Sequence, residues 1–125
     1  MPVIHVALRA GKPEAYHQAI FDSLYQAMRD ALDVPEGDQF MTLSEHSTAN
    51  FRYGSAFGVA RSDDLVFIRI IVFATRPASQ KKELFRQIAK RLGESPGIRP
   101  EDVFVVITDA AKENWSVGYG LAQFA

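Results

Sequence analysis

The proline that follows the initiator methionine is the residue of this chain best suited to chemistry. Removal of Met1 would leave Pro2 as a free secondary amine at the end of a predicted strand. Ordinary α-amino groups titrate near pH ~8, so such an amine can act as a base or as an acid near neutrality once its surroundings shift its pKa. The alternative is that Pro2 is an incidental start residue with no chemical role.

The other side chains that commonly carry catalysis show no recognisable arrangement. His5, His17 and His46 lack the spacing of a metal site, and no motif places a base beside Ser44 or Ser116. The chain contains no cysteine, which excludes disulfides, thiolate metal sites and a cysteine nucleophile. The N-terminal amine therefore remains the main candidate for acid–base chemistry.

Composition and charge describe an ordinary soluble domain. With 125 residues, 47% of them hydrophobic, the chain is long enough for one domain, 1–125, with a substantial core. A net charge of −1 argues against nucleic acid or an anionic membrane as the main partner, because both require a concentrated basic surface. The N-terminus lacks a signal-peptide pattern, and the longest apolar run, Leu65–Ala74, is too short to span a bilayer. We therefore expect a cytoplasmic protein.

One internal repeat organises the sequence. Shifting residues 2–40 by 64 positions (66 − 2 = 64) places them on residues 66–104 without a gap. The matched positions share the same physical type, as in Ile4 with Ile68, Val6 with Ile70, Pro13 with Pro77, Phe21 with Phe85, Asp38 with Asp102 and Phe40 with Phe104. So many matches in one register predict two copies of one structural unit.

Each copy has the pattern of a strand, a helix and a second strand. In the first copy Val3–Leu8 is rich in strand formers, the apolar residues of 16–31 have helical spacing, and Asp38–Leu43 resumes as a strand. The corresponding elements of the second copy are Leu65–Ala74, Pro77–Leu92 and Val103–Thr108. Because short helical crossovers favour parallel strand pairs, we predict an α+β fold. Two pseudo-symmetric β-α-β units would form one four-stranded mixed sheet with two helices on one face, plus a C-terminal hairpin or arm.

The strands of the second copy are apolar on both sides, which predicts a sheet that is buried on both faces. Two helices cover only one face, so we expect copies of the chain to cover the other face in a closed ring or dimer. The alternative is that Glu45–Arg61, in which Phe51–Ala60 alternates enough for an edge ribbon, folds back over that face. Burial of Arg69, in the middle of Leu65–Ala74, would require an acidic partner, for example across a subunit interface.

Short motifs in order along nearly the whole chain accompany Pro2 and the duplicated unit. They are Val34-Pro35-Glu36-Gly37-Asp38, Thr42-Leu43-Ser44-Glu45-His46, Thr75-Arg76-Pro77, Ile98-Arg99-Pro100-Glu101-Asp102-Val103 and Asn114-Trp115-Ser116-Val117-Gly118-Tyr119-Gly120. Together they resemble the tautomerase superfamily, and most closely its malonate semialdehyde decarboxylase-like branch. The resemblance implies a tautomerase-like fold, a homotrimer with sites between subunits, a small oxo-carboxylate substrate, and no cofactor or metal.

Position by position, the resemblance implies that Pro2 is the catalytic amine and Asp38 its acidic partner. A carboxylate near the amine would favour the protonated form and could orient or activate a water. The alternative for Asp38 is a turn aspartate that caps the entry to a strand, which is the role we expect for Asp102 in the other copy. The sequence leaves open whether Pro2 and Asp38 lie at neighbouring or at opposite strand ends.

The resemblance also implies that Arg76 acts in catalysis and binds the substrate carboxylate, with Trp115, Val117 and Phe124 as further substrate-binding residues. A guanidinium beside a helix N-terminus is a good carboxylate site, because it combines a fork of donors with free backbone N–H groups. The alternative for Arg76 is a solvated surface arginine.

Two positions depart from the decarboxylase pattern. Ala78 and Tyr119 stand where that pattern has arginines. A site without these charges would be more apolar, which would lower the pKa of the Pro2 amine and favour a base over an acid. We therefore expect keto–enol tautomerisation of a small 2-oxo carboxylate. The alternatives are decarboxylation or hydration of a 3-oxo acid by protonated Pro2, and a non-catalytic oligomeric binding module with a vestigial site.

Overall fold

A computed structural model describes all of residues 1–125 and contains four strands and two long helices. In chain order these are β1 (Pro2–Arg9), α1 (Glu14–Leu32), β2 (Met41–His46), β3 (Val66–Phe73), α2 (Ala78–Glu94) and β4 (Val103–Ala110). The strands form one sheet in the order β2-β1-β3-β4, in which β1 runs parallel to β2 and β3 parallel to β4. The central pair, β1 and β3, is antiparallel. The predicted fold class is therefore confirmed.

The two β-α-β units also share their strand register. Ile4 on β1 pairs with Met41 on β2, and Ile68 on β3 pairs with Val105 on β4. The offset is the same in both strands (68 − 4 = 64 and 105 − 41 = 64). Each residue of the first unit therefore has a structural counterpart 64 positions further along the chain.

Alternation in the strands and helical spacing in the helices create one core. Every second residue of β1 and β3 is buried, beginning at Pro2 and Val66. The helices cover this side of the sheet with residues spaced three or four apart, among them Ile20, Leu24, Met28, Leu84, Ile88 and Leu92. Neither helix is long and apolar enough to cross a membrane.

Two segments differ from the sequence prediction, and a third decides between the predicted hairpin and arm. Asp38 lies in the loop before β2 rather than at its first position, since β2 begins at Met41. Phe51–Ala60 contains no strand; it is a loop with a short 3₁₀ turn in which Phe57 has a φ of 71°. The C-terminal tail is an arm and not a strand hairpin, because the Gln123 side chain, bonded to Val117 and Gly118, closes it in place of a backbone ladder.

The face of the sheet opposite the two helices, which we call the open face, is covered only at its two ends. At one end Phe51 packs on Phe67 with ring centroids 5.3 Å apart. At the other end Trp115 and Phe124 pack on Phe73, with centroids 5.3 and 5.1 Å away. The Glu45–Arg61 segment therefore covers only part of this face.

Between these two ends lies an uncovered area that we call the open centre, formed by Val3, His5, Arg69, Ile71 and Val106. Its aliphatic side chains are 39–45% exposed, which is high for large apolar groups in the middle of a sheet.

Substitution of Asp102 tests the packing of the second unit. Asp102 is fully buried, and its two carboxylate oxygens accept hydrogen bonds from the backbone N–H and the hydroxyl of Ser62, both at 2.6 Å. Asp102→Ala should lower the free energy of unfolding by about 2–4 kcal/mol, because both Ser62 donors lose a charged acceptor. Urea unfolding measures the loss. The matched control is Glu101→Ala, which removes only an exposed ion pair with Arg99 and should cost about 1 kcal/mol or less. Equal losses in the two variants would contradict this role of Asp102.

Candidate active site

Strand pairing brings the starting points of the two key segments together. Because β1 and β2 are parallel, the start of β1 lies beside the loop that precedes β2, and the Ile4 N–H donates to the Phe40 carbonyl at 3.0 Å. Because β3 is antiparallel to β1, its last residues reach the same edge, where Pro2 pairs with Val72. We call this edge the Pro2 end. Asp38 and Arg76 both lie at this end of the sheet, one before β2 and the other after β3.

The loop that carries Asp38 is tied to α1. Gly37 adopts a φ of 83°, a conformation that glycine tolerates best, and its N–H donates to the Tyr25 hydroxyl at 2.8 Å. The Asp38 N–H closes the turn on the Pro35 carbonyl at 3.1 Å. These contacts fix the position from which the Asp38 side chain reaches the N-terminus.

Asp38 lies against the N-terminal amine. In the full chain this amine belongs to Met1, and its nitrogen is 3.2 Å from Oδ2 of Asp38. The Asp38 side chain is only 10% exposed, and its second oxygen, Oδ1, is buried without a hydrogen-bond partner. A buried acceptor without a partner is unusual, because leaving one unsatisfied costs about 1–3 kcal/mol. A largely buried carboxylate, one oxygen of which accepts no hydrogen bond, therefore lies beside the start of β1.

Arg76 joins the second unit to the first. Its Nη1 donates to the Leu32 carbonyl in the last turn of α1, and it has no carboxylate partner. Arg76 also stands two residues before α2, whose N-terminus has no side-chain cap and no acidic residue in its first turn. The first N–H groups of a helix lack partners within the helix, so this corner offers several donors to an anionic group.

The second unit shows what the same carboxylate does when it is structural. Asp102 is the counterpart of Asp38 (38 + 64 = 102), and both of its oxygens accept hydrogen bonds from Ser62. Asp102 therefore has a structural role, but its partner is a loop residue 40 positions away rather than the turn at the entry to its own strand. Asp38 has no side-chain donor of this kind, since its Oδ2 contacts the N-terminal amine and its Oδ1 accepts no hydrogen bond.

The equivalent cations of the two units also differ in whether they have a side-chain partner. Lys12 is the counterpart of Arg76 (12 + 64 = 76), and its Nζ lies 2.8 Å from Oδ1 of Asp64. The hydrogen bond to Asp64 raises the pKa of the Lys12 ammonium. Arg76, in contrast, contacts only a backbone carbonyl. At one end of the sheet both charged groups are thus bonded to side chains of the same chain, whereas at the Pro2 end Asp38 contacts the N-terminal amine and Arg76 a backbone carbonyl.

The predicted substrate-binding residues of the tail lie elsewhere in the isolated chain. Trp115 and Phe124 pack on Phe73, whose side chain projects from the face of the sheet opposite to Pro2. Val117 is 47% exposed. The chain therefore brings Pro2, Asp38 and Arg76 to one end, while these three tail residues lie on the other face or in solvent.

Three further ionisable residues near the Pro2 end were not predicted. Lys81 forms an ion pair with Asp109 at 2.8 Å. Asp109 pairs with Val72, the same residue that pairs with Pro2, so it belongs to the same row of the sheet. The Lys112 ammonium lies 5.8 Å from the Phe73 ring centroid. The sequence signal that could have placed Lys81 near the Pro2 end is its position one turn into the helix that follows Arg76.

A hydrogen-bonded chain runs across the open face between β1 and β2. The two ring nitrogens of His5 contact the hydroxyls of Thr42, at 2.7 Å, and of Ser44, at 3.0 Å. The Ser44 hydroxyl is also 3.1 Å from Nε2 of His46, which gives His46 a structural partner. No group of three or more His, Asp or Glu side chains is arranged to hold a metal ion.

Comparison with known proteins agrees with this geometry. A family model described as "Tautomerase enzyme" matches residues 38–118. The chain is 35% identical over 124 residues to the "Probable tautomerase YusQ" of Bacillus subtilis (strain 168), which covers 98% of both chains. A crystal structure of malonate semialdehyde decarboxylase superposes with a TM-score of 0.91 at 28% identity, over 98% of this chain and 95% of that one. A fused 4-OT symmetric trimer has the same fold, with a TM-score of 0.82 at 22% identity over 98% and 97% of the two chains. The chain therefore belongs to the tautomerase family.

Proposed function

We propose that this protein uses the amine of Pro2, freed by removal of Met1, for proton transfer on a small 2-oxo carboxylate. One observation carries the proposal: equivalent charged residues occur at both ends of the sheet, but only at the Pro2 end do they lack side-chain partners. Asp38 keeps a buried oxygen without a hydrogen bond, and Arg76 binds nothing but a carbonyl. Groups left unsatisfied in this way are typical of sites that bind a ligand.

In the proposed reaction Arg76 and the first N–H groups of α2 bind the substrate carboxylate. The neutral Pro2 nitrogen removes a proton from the carbon next to the 2-oxo group, and the electrons of that C–H bond form a C=C bond as the oxygen becomes an enolate. Asp38 stabilises the proline ammonium produced by this step. Return of the proton to oxygen gives the enol, and the same steps in reverse convert an enol to its ketone.

A second reaction is favoured by the similarity to malonate semialdehyde decarboxylase. In this alternative protonated Pro2 polarises a 3-oxo group while Arg76 holds the carboxylate. The bond to the carboxylate carbon then breaks, CO₂ leaves, and its electron pair passes to the neighbouring carbon. Asp38 would keep the amine protonated. Ala78 supplies no second guanidinium for this chemistry, which is why we place tautomerisation first.

We also propose that the enzyme assembles as a homotrimer through the open face of its sheet. The fused 4-OT protein of the same fold is a trimer, and the open centre leaves large apolar side chains exposed. In such an assembly Trp115, Val117 and Phe124 of one copy would complete the Pro2 site of a neighbour. This arrangement would give the tail the substrate-binding role that it lacks within its own chain.

Substitution of Pro2 tests the central step. Intact mass should show that purified protein lacks Met1, since a retained Met1 would acylate the Pro2 nitrogen. Pro2→Ala should then reduce kcat/KM for ketonisation of phenylenolpyruvate by about 100-fold or more, in line with the loss of a positioned general base. Circular dichroism and sedimentation serve as controls for folding and assembly. Undiminished activity would favour the non-catalytic binding module.

Substitution of Arg76 tests carboxylate binding. Arg76→Met should lower kcat/KM about 10- to 100-fold, mainly through KM, because a charge-assisted hydrogen bond contributes about 1.5–3 kcal/mol. Arg86→Met is the matched control, since Arg86 lies on the exposed side of α2 and its guanidinium pairs with Glu83, three residues earlier in the same helix. Equal kinetics of the two variants would show that Arg76 does not contact substrate. A urea titration would detect any loss caused by the broken Leu32 contact.

The dependence of kcat/KM on pH separates the two reactions. A catalytic base should give an activity that rises with pH through an apparent pKa of about 6–7, and an acid should give one that falls through a pKa near ~9. Phenylenolpyruvate and malonate semialdehyde serve as the two substrates. We predict the rising profile with the 2-oxo substrate; a falling profile with malonate semialdehyde alone would favour decarboxylation.

A further inference from the structure

The open centre contains an arginine with no partner. Arg69 lies in the middle of β3, opposite His5 on β1 and Val106 on β4, and it is exposed. Its guanidinium makes neither an ion pair nor a hydrogen bond, whereas Arg9, at the end of the same face, is paired with Asp63. If this face becomes an interface, Arg69 must find an anionic partner outside its own chain, because a buried charge without one is strongly destabilising.

No strand residue on this face is acidic. The outward-facing residues of the strands are aliphatic, aromatic, hydroxyl-bearing, imidazole or guanidinium groups: Val3, His5, Ala7, Arg9, Thr42, Ser44, His46, Phe67, Arg69, Ile71, Phe73, Phe104, Val106 and Thr108. The two acidic residues within the strands are committed to the helix side. Glu45 pairs with His17 of α1, and Asp109 pairs with Lys81 of α2.

In a symmetric assembly, the lack of acidic residues on this face limits the partners that Arg69 can find. In a ring of identical copies that turn their open centres towards one axis, every copy contributes the same residues. The Arg69 side chains of the copies would then approach one another with no carboxylate between them. Like charges at such short range repel, and the repulsion grows as water is excluded.

We propose that the assembled protein binds an oxyanion between the Arg69 side chains of neighbouring copies; this inference rests on the proposed homotrimer. A shallow depression of about 280 Å³, lined by Val3, His5, Arg69, Ile71, Val106 and Thr108, lies at this position in each chain. It offers a guanidinium fork and the Thr108 hydroxyl as donors. Sulfate, phosphate and carboxylate groups share the geometry that a guanidinium binds. The site is incomplete in a single chain, because one copy supplies only one guanidinium.

Anion-dependent assembly tests the proposal. The probe is inorganic sulfate at about 5 mM, balanced by sodium chloride to constant ionic strength, far below the concentrations at which sulfate strengthens apolar burial in general. Sedimentation velocity measures the dissociation constant of the trimer, and native mass spectrometry detects the bound anion. For the wild type, sulfate should tighten the trimer about tenfold or more, since charge-assisted hydrogen bonds form only when the anion is present.

Two variants separate a specific site from a general salt effect. Arg69→Met keeps the length and apolar stem of the side chain, so its trimer should form at least as well as the wild type in chloride and gain nothing from sulfate. Arg86→Met removes an exposed arginine of α2, on the helix side of the sheet, and should respond to sulfate like the wild type. Inorganic phosphate and acetate, tested in the same way, distinguish the anions that the site prefers.

Each result decides between the possibilities. A wild-type trimer that is indifferent to all three anions would overturn the proposal while leaving the trimer intact. A weaker trimer of Arg69→Met in chloride would overturn it as well, because it would show that Arg69 already has a partner from a neighbouring chain. A protein that stays monomeric under all conditions would contradict both the assembly and the anion site, but the activity assays with Pro2→Ala would still test the proposed reaction independently.

Discussion

β1 and β3 pair antiparallel, with Pro2 opposite Val72, and this single pairing decides which charged residues of the two units share an end of the sheet. Each β-α-β unit alone would place its carboxylate beside the start of its own first strand. Because β1 and β3 are antiparallel, the cation that follows the first strand of the other unit lies at the same end of the sheet as this carboxylate. Asp38 and Arg76 thereby lie at one end of the sheet, and their counterparts Asp102 and Lys12 at the other. A parallel joint between the units would have separated each carboxylate from its cation.

The duplication therefore contains its own comparison of a structural end with a candidate catalytic end. Between the units the chain supplies Ser62 and Asp64, which satisfy Asp102 and Lys12. At the Pro2 end no such side chains are present: Asp38 contacts the N-terminal amine, and Arg76 contacts a backbone carbonyl. Groups that lack partners destabilise a fold, and proteins commonly accept that cost where a ligand is to be bound. A missing partner also distinguishes the open centre, where identical copies of the chain would bring their Arg69 side chains together.

Much of this was predictable from local patterns. The repeat of 64 residues predicted both units, because strand alternation and helical spacing are local and recur in the same register. The position of Arg76 beside Pro2 and Asp38 was not predictable, because it depends on which strands pair between the units, a non-local choice. The loop around Phe57 was assigned too much strand, since turn conformations replace a backbone ladder there. The choice between a hairpin and an arm for the C-terminal tail was left open, because side-chain contacts of Gln123 decide it. The ion pair of Lys81 with Asp109 was not predictable, because the two residues are 28 positions apart in sequence.

Covalent labelling of the processed protein by 2-oxo-3-pentynoate tests the central claim most directly, since this reagent combines a 2-oxo carboxylate with an alkyne that accepts a neutral amine. Conjugate addition would form a bond from the Pro2 nitrogen to the alkyne, with the amine proton passing to the neighbouring carbon. We predict one adduct per chain, mapped by peptide mass spectrometry to Pro2, and much slower labelling in Arg76→Met than in Arg86→Met. Labelling confined to lysine side chains, or labelling of Pro2 at the same rate in both variants, would contradict a reactive proline amine served by Arg76.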